Sequence, residues 1–161
     1  MQHKPNVSPM DDVTIRPAAL DELNRAGELR ALMAREEGVN WDAEHPRWHE
    51  RFAEFFAEKQ RCGRAQVYYA QRGDEIVGMA AFSLVDEYRV AALGQPRGWV
   101  NSVFVLPHLR RRGIARALMQ IGMKWLHERG CVMVRLRTSE EGRALYRSLG
   151  FVAGKEMELK L

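Results

Sequence analysis

Apolar residues recur along this chain with two periods, and the switches between them mark out its elements. Val13-Thr14-Ile15-Arg16 reads as a short strand ended by Pro17. Leu20, Leu23, Ala26, Leu29 and the Leu32/Met33 pair then follow helical spacing, which predicts an amphipathic helix of about five turns, stopped at Gly38. Trp48, Phe52, Phe55 and Phe56 share one face of a second helix from Pro46 to Arg61; proline suits its first turn and Gly63 its end. Alternation replaces the helical period at Gln66–Ala70. A Gly73-Asp74 turn and the run Glu75–Val85 complete a hairpin. Asp86 to Arg97 reads as a loop, and Gly98–Val105 as a strand closed by Pro107. A helix from Arg112 to Arg129 carries Ile114, Ala117, Leu118, Ile121 and Trp125 as its apolar stripe. Cys131–Leu136 reads as a strand, Glu140–Leu149 as a short helix, and Phe151-Val152 and Met157-Glu158-Leu159 as final short strands. Early antiparallel hairpins followed by a βαβ unit predict an α/β (α+β) domain, one mixed sheet with helices on both faces. Residues 1–12, with two prolines and no period, read as a flexible leader, and residues 13–161 as one domain.

Length and composition narrow the classes. The 161 residues suit a single domain with a core of its own. No stretch approaches the ~20 apolar residues of a membrane span, and the start lacks the apolar run of a secretory signal. Cys62 and Cys131 make neither a disulfide framework nor a zinc set. His45 and His49 stand four apart with no third ligand evident, so no metal is expected. These features favour a cytoplasmic location. The net charge of +4 hides an asymmetry. Residues 1–100 carry 13 Lys/Arg against 16 Asp/Glu, and residues 101–161 carry 12 against 5. The basic last third points to an anionic ligand.

The segment that carries chemistry runs from Val103 to Arg116. A strand ends, a basic loop follows, and a helix begins. A helix start has amides without intrahelical partners and a positive dipole end, so it is ready to take an anion. Gly113 lets a phosphate approach the backbone, Ala115 keeps the first turn open, and Arg110, Arg111, Arg112 and Arg116 add full charge. A diphosphate suits such a niche. A solvated arginine-rich turn would carry the same residues. Neither the ATP-type P-loop nor the three-glycine dinucleotide fingerprint is present.

Arg110-Arg111-Arg112-Gly113-Ile114-Ala115 resembles the Arg/Gln-x-x-Gly-x-Gly/Ala signature of the GNAT family, the acetyl-CoA-dependent N-acetyltransferases. Gly142 to Phe151, with Leu145-Tyr146 and Gly150-Phe151, resembles that family's Leu-Tyr-x-x-x-Gly-Phe segment. The element order from residue 13 onward is similar as well. The resemblance implies the acyl-CoA N-acyltransferase fold, a mostly antiparallel twisted sheet of six to seven strands. It implies acetyl-CoA as co-substrate, held by Arg110–Arg116 and by the backbone of Val103, Phe104 and Val105, where the strand bulges and splays. It implies Tyr146 as the general acid that protonates the departing thiolate; a phenol with pKa near 10 can do so. Many relatives have a cofactor-contacting Asn where this chain has Ser139, which can hydrogen-bond or can cap the short helix.

Many relatives also place a Glu base on the strand before the loop. Trp99–Val105 holds none. Asn101 can orient an acceptor or a water, and Asp86 and Glu87 are the candidate carboxylates near the acceptor side. A water chain is a third route. Trp41, Trp48, Phe52, Phe55 and Phe56 can line an acceptor pocket or simply fill the core. The acidic run Glu36, Glu37, Asp42, Glu44, Glu50, Glu54 and Glu58 hints at a cationic acceptor or is a solvated face. The resemblance thus implies transfer of an acetyl group to a small-molecule or peptide primary amine by direct attack in a ternary complex. A non-catalytic acyl-CoA-binding domain on the same fold is the alternative. Neither nucleic acid nor membrane is expected as a partner, and a homodimer follows from family analogy.

Overall fold

The computed structural model describes Met10 and residues 12–88, 90 and 94–161. The sequence-predicted leader falls mostly outside these residues, as does part of the Asp86–Arg97 loop. The described elements are β1 (Thr14–Pro17), α1 (Leu23–Glu36), α2 (Trp48–Arg61), β2 (Ala65–Arg72), β3 (Glu75–Val85), β4 (Arg97–Val105), α3 (Ile114–Glu128), β5 (Val134–Leu136) and α4 (Glu140–Ser148). Short 3-10 turns at Leu20–Glu22 and Pro107–Leu109 lead into α1 and follow β4.

The five strands lie in sequence order. β1 to β4 pair antiparallel, and β5 joins β4 in parallel. The mixed, mostly antiparallel sheet is therefore as expected, with fewer strands than the six to seven anticipated. The segments at Phe151-Val152 and Met157–Leu159 form no strand. Their alternation has no face to bury: Met157 is 98% and Leu159 81% exposed.

Two apolar layers cover the sheet. Leu23, Ala26 and Leu29 of α1 and Phe56 of α2 pack on Tyr69, Met79 and Phe104. Leu118, Met119 and Leu126 of α3 pack on the other face, against Phe82 and Val100. Burying such side chains contributes roughly 1.5–3 kcal/mol each. At Gly122 the packing is so close that a Cβ would stand 1.9 Å from Phe82 Cζ. The strand face that points toward α1 and α2 carries Met79 and Ala81; the opposite face carries Ala80 and Phe82. This alternation decides which side of the sheet each site residue occupies.

Candidate active site

The site begins as a fault in the β-ladder. Ala81 pairs with Ser102 and Phe82 with Val100, so Asn101 is an extra residue on β4, a β-bulge. On its other side β4 pairs with β5 only through Gly98–Val134, Trp99–Arg135 and Val100–Leu136. Beyond Val100 the strands part. Among the described residues, 101–105 then have no strand partner on that side, which leaves backbone groups to be satisfied by something else. A cavity of about 860 Å³ occupies the opening. It is lined by residues 100–105 of β4, by Arg110, Arg111 and Gly113–Arg116, and by Leu136, Ser139 and Tyr146. Met33, Glu36 and Glu37 of α1 line it too, so the cavity reaches both sides of the sheet.

The loop at the end of β4 has the backbone an anion site needs. Gly113 is the N-cap of α3 at φ 86°, Arg111 also sits at positive φ (63°), and among the described residues no side-chain hydrogen bond caps α3. The first amides of a long helix therefore face the cavity wall without a side-chain partner. The arginines divide. Arg111 and Arg116 line the cavity, and Arg116 Nη2 also donates to Ser148 Oγ at 2.5 Å. Arg110 is turned back on the protein: Nε donates to the Val105 carbonyl at 2.9 Å, and Nη2 meets Glu36 Oε2 at 2.5 Å. Its guanidinium also stands 5.5 Å from the Phe104 ring centroid. Arg112 is exposed and does not line the cavity.

On the far wall, Ser139 caps α4, its Oγ accepting from Gly142 N at 3.2 Å. Tyr146 is half-buried beside Phe151, ring centroids 5.9 Å apart, and burial raises its phenol above the ordinary value of 10. Gly142 has a role that pattern reading missed. A Cβ there would come within 2.8 Å of Tyr146 Cε2, so the glycine makes room for the ring. Its only sequence signal is its place one turn before the tyrosine.

Val103 and Val105 turn their side chains toward the α3 layer and Phe104 toward the α1 layer, so it is their backbone that borders the opening. Asn101 is exposed at the cavity, its Oδ1 accepting from Ser83 Oγ at 2.8 Å. Asp86 and Glu87 do not line it. Asp86 pairs with Arg64 at 2.7 Å and Glu87 with Arg97 at 2.9 Å. Of the acidic run, Glu36 is held by Arg110, and Glu37 lies 3.6 Å from Arg30. Trp41 and Trp48 meet edge to face at 5.3 Å beside a separate hollow of about 560 Å³, and Phe56 is core. Burial pushes the Cys131 thiol up, which makes it a poor nucleophile. Among the described residues no three His, Cys, Asp or Glu gather as a metal site, and no helix is long and apolar enough to cross a membrane.

Comparison with known proteins agrees with this geometry. A sequence model of the acetyltransferase (GNAT) family matches residues 28–151, and the chain belongs to that family. It is 30% identical over 78 residues to aminoglycoside N(6')-acetyltransferase type 1 of Salmonella typhimurium, a match covering 47% of this chain and 54% of that protein. The chain thus spans about half the length of the curated relatives it matches. Among solved structures, a predicted acetyltransferase with acetyl-CoA from Clostridium acetobutylicum superposes with a TM-score of 0.84 at 20% identity, covering 92% of this chain and 96% of that one. A GCN5-related N-acetyltransferase from Ralstonia eutropha gives 0.82 at 23%, covering 92% and 98%. At such identities these likenesses speak for the fold.

Proposed function

We propose that the chain is an acetyl-CoA-dependent N-acetyltransferase acting on a primary amine within a ternary complex. The observation that carries this reading is the cavity at the β4–β5 parting, which joins the α3 amides, the unpaired edge of β4 and the Tyr146 phenol in one space. Acetyl-CoA fits these donors: the helix start suits a diphosphate, and an exposed strand edge suits an amide-bearing arm. When bound it supplies an activated acetyl thioester. The chain's own residues do the rest.

The Gly113–Arg116 turn binds phosphate oxygens through main-chain N–H groups, with Arg111 and Arg116 adding charge. The free edge of β4 orients the arm. Asn101, on the sheet face opposite Tyr146, orients the incoming amine: its Oδ1 accepts from Ser83 Oγ and keeps a second lone pair for an N–H of the amine. Attack by the amine nitrogen on the carbonyl carbon forms the C–N bond and breaks the C–S bond. Tyr146, on the α3 and α4 side, gives its proton to the leaving sulfur. Burial holds the phenol protonated at neutral pH, the form an acid requires. Asp86 and Glu87 do not line the cavity, and Glu36 and Glu37, which do, face Arg110 and Arg30; the amine's proton leaves by water, directly or past Glu141 at the cavity wall.

The test is thiol release from acetyl-CoA in the presence of an amine panel, with calorimetry of CoA binding. Tyr146→Phe should lower kcat about a hundredfold or more while CoA affinity holds. Loss of affinity with unchanged kcat removes the acid role. CoA binding without thiol release for any amine favours the acyl-CoA-binding alternative.

A further inference from the structure

We infer that the amine acceptor carries a carboxylate, and that Arg135 and Arg137 bind it where the tail's Glu156 and Glu158 now sit. The inference rests on the reading of this site as an N-acetyltransferase and names the class of its acceptor.

Register places the arginines. Ser83 pairs with Trp99, and Trp99 with Arg135, so all three point to one face of the sheet, the face on which Ser83 meets Asn101. Phe82, Val100, Val134 and Leu136 point to the other face, into the α3 core. Val100 and Leu136 form the last pair; the next residues along, Asn101 and Arg137, both line the cavity mouth. Arg97 joins this face, its guanidinium 5.7 Å from the Trp99 ring. Arg137 thus stands at the cavity beside Asn101, with Arg97, Trp99 and Arg135 farther back on the same face, whereas the α1 carboxylates at the cavity, Glu36 and Glu37, already face Arg110 and Arg30. A third carboxylate, Glu141 at the start of α4, also lines the cavity, so a cationic acceptor finds one unpaired carboxylate there among the described residues against the several arginines.

The tail shows which anion fits. Glu156 pairs with Arg135 and lies 3.6 Å from Arg97; Glu158 pairs with Arg137 at 2.7 Å. Residues 152–161 around them are exposed and in no helix or strand, so little but these ion pairs fixes the segment. Arg137–Glu158 is exposed on both sides and therefore weak and salt-screened, whereas Arg135 and Arg97 are partly buried and only their partner Glu156 is exposed. An acceptor carboxylate meeting the same guanidinium groups, with its amine at Asn101, can displace them. Guanidinium recognises carboxylate through paired N–H donors, which a neutral amide cannot match.

Matched acceptors test the idea: glycine, 3-aminopropanoate and 4-aminobutanoate, each against its carboxamide, with spermidine as the polycation. Each is titrated by calorimetry into the protein with and without CoA, and each is assayed for thiol release from acetyl-CoA. At least one acid should exceed its amide by about tenfold or more in affinity or kcat/KM. Arg135→Gln and Arg137→Gln should each shrink that ratio, with CoA affinity unchanged. Glu156→Gln with Glu158→Gln should tighten the acid and leave the amide alone. Equal use of acid and amide, preference for spermidine, or a ratio that survives both arginine changes overturns the inference. An arginine-dependent acid preference in binding, with no CoA bound and no thiol released, sinks the transferase reading and leaves the carboxylate site standing. Thiol release that is blind to the carboxylate does the reverse.

Discussion

Gly113→Ala probes the anion-binding turn with a single methyl group. Gly113 holds φ 86° as the N-cap of α3, a region where an L-residue costs about 1–2 kcal/mol. The methyl itself is harmless in space, since its nearest neighbour would be Met10 Cγ at 3.9 Å. Alanine also stiffens the unfolded chain, which offsets about 0.4–1 kcal/mol. The net loss should be about 1 kcal/mol, or a fall of about 2–4 °C in Tm for a chain of this size. Relaxation of φ toward negative values turns the following amides away from the cavity. Loss of one charge-assisted hydrogen bond, about 1.5–3 kcal/mol, weakens CoA binding by about tenfold to a hundredfold. Urea unfolding and calorimetry measure both effects. Gly154→Ala, at a position without positive φ and with nothing within 4 Å, is the control and should change neither. If Gly113→Ala loses stability yet binds CoA as tightly as before, the diphosphate does not rest on these amides.

Other changes report on the scaffold. Gly122→Ala pushes a methyl into the Phe82 ring and should cost about 3 kcal/mol in urea unfolding; adding Phe82→Leu should recover part of it. Arg16 grips Glu22 through two hydrogen bonds of 2.8 and 2.6 Å and holds its carboxyl at about 2, below the ordinary 4.5. A depressed carboxyl stabilises the fold above its unfolded pKa, and that contribution fades as pH falls from about 4.5 to about 2. Glu22→Gln should therefore cost about 1 kcal/mol at pH 7, a figure discounted for the pair's partial exposure, and nothing near pH 2. A difference that persists in acid refutes the ion-pair account.

Much of this architecture was legible because pattern and packing agree. The α1, α2 and α3 stripes recur at helical spacing and are largely buried, with Leu20 and Phe55 exposed at their margins, and the Gly73-Asp74 turn joins β2 to β3. The loop–helix motif and Tyr146 line one cavity. Three things escaped pattern reading, each for a physical reason. Met157 and Leu159 alternate like a strand, but no neighbouring edge takes them up. Arg110 sits in the motif, yet Glu36, far away in sequence, claims its guanidinium. Asp86 and Glu87 fall at the end of the right strand, but Arg64 and Arg97 hold them elsewhere. Side-chain partners distant in sequence leave no local periodicity to read.

The short seam between β4 and β5 also sets how the protein breathes. Three paired residues are a thin fastening for the sheet edge that carries α4 and Tyr146. Amides of β4 that point toward the gap should trade hydrogen for deuterium well before those facing β3. A guest that spans the gap supplies the missing rungs, slows that trade and lifts the melting point; at a hundred times its Kd the gain is about 2.7 kcal/mol.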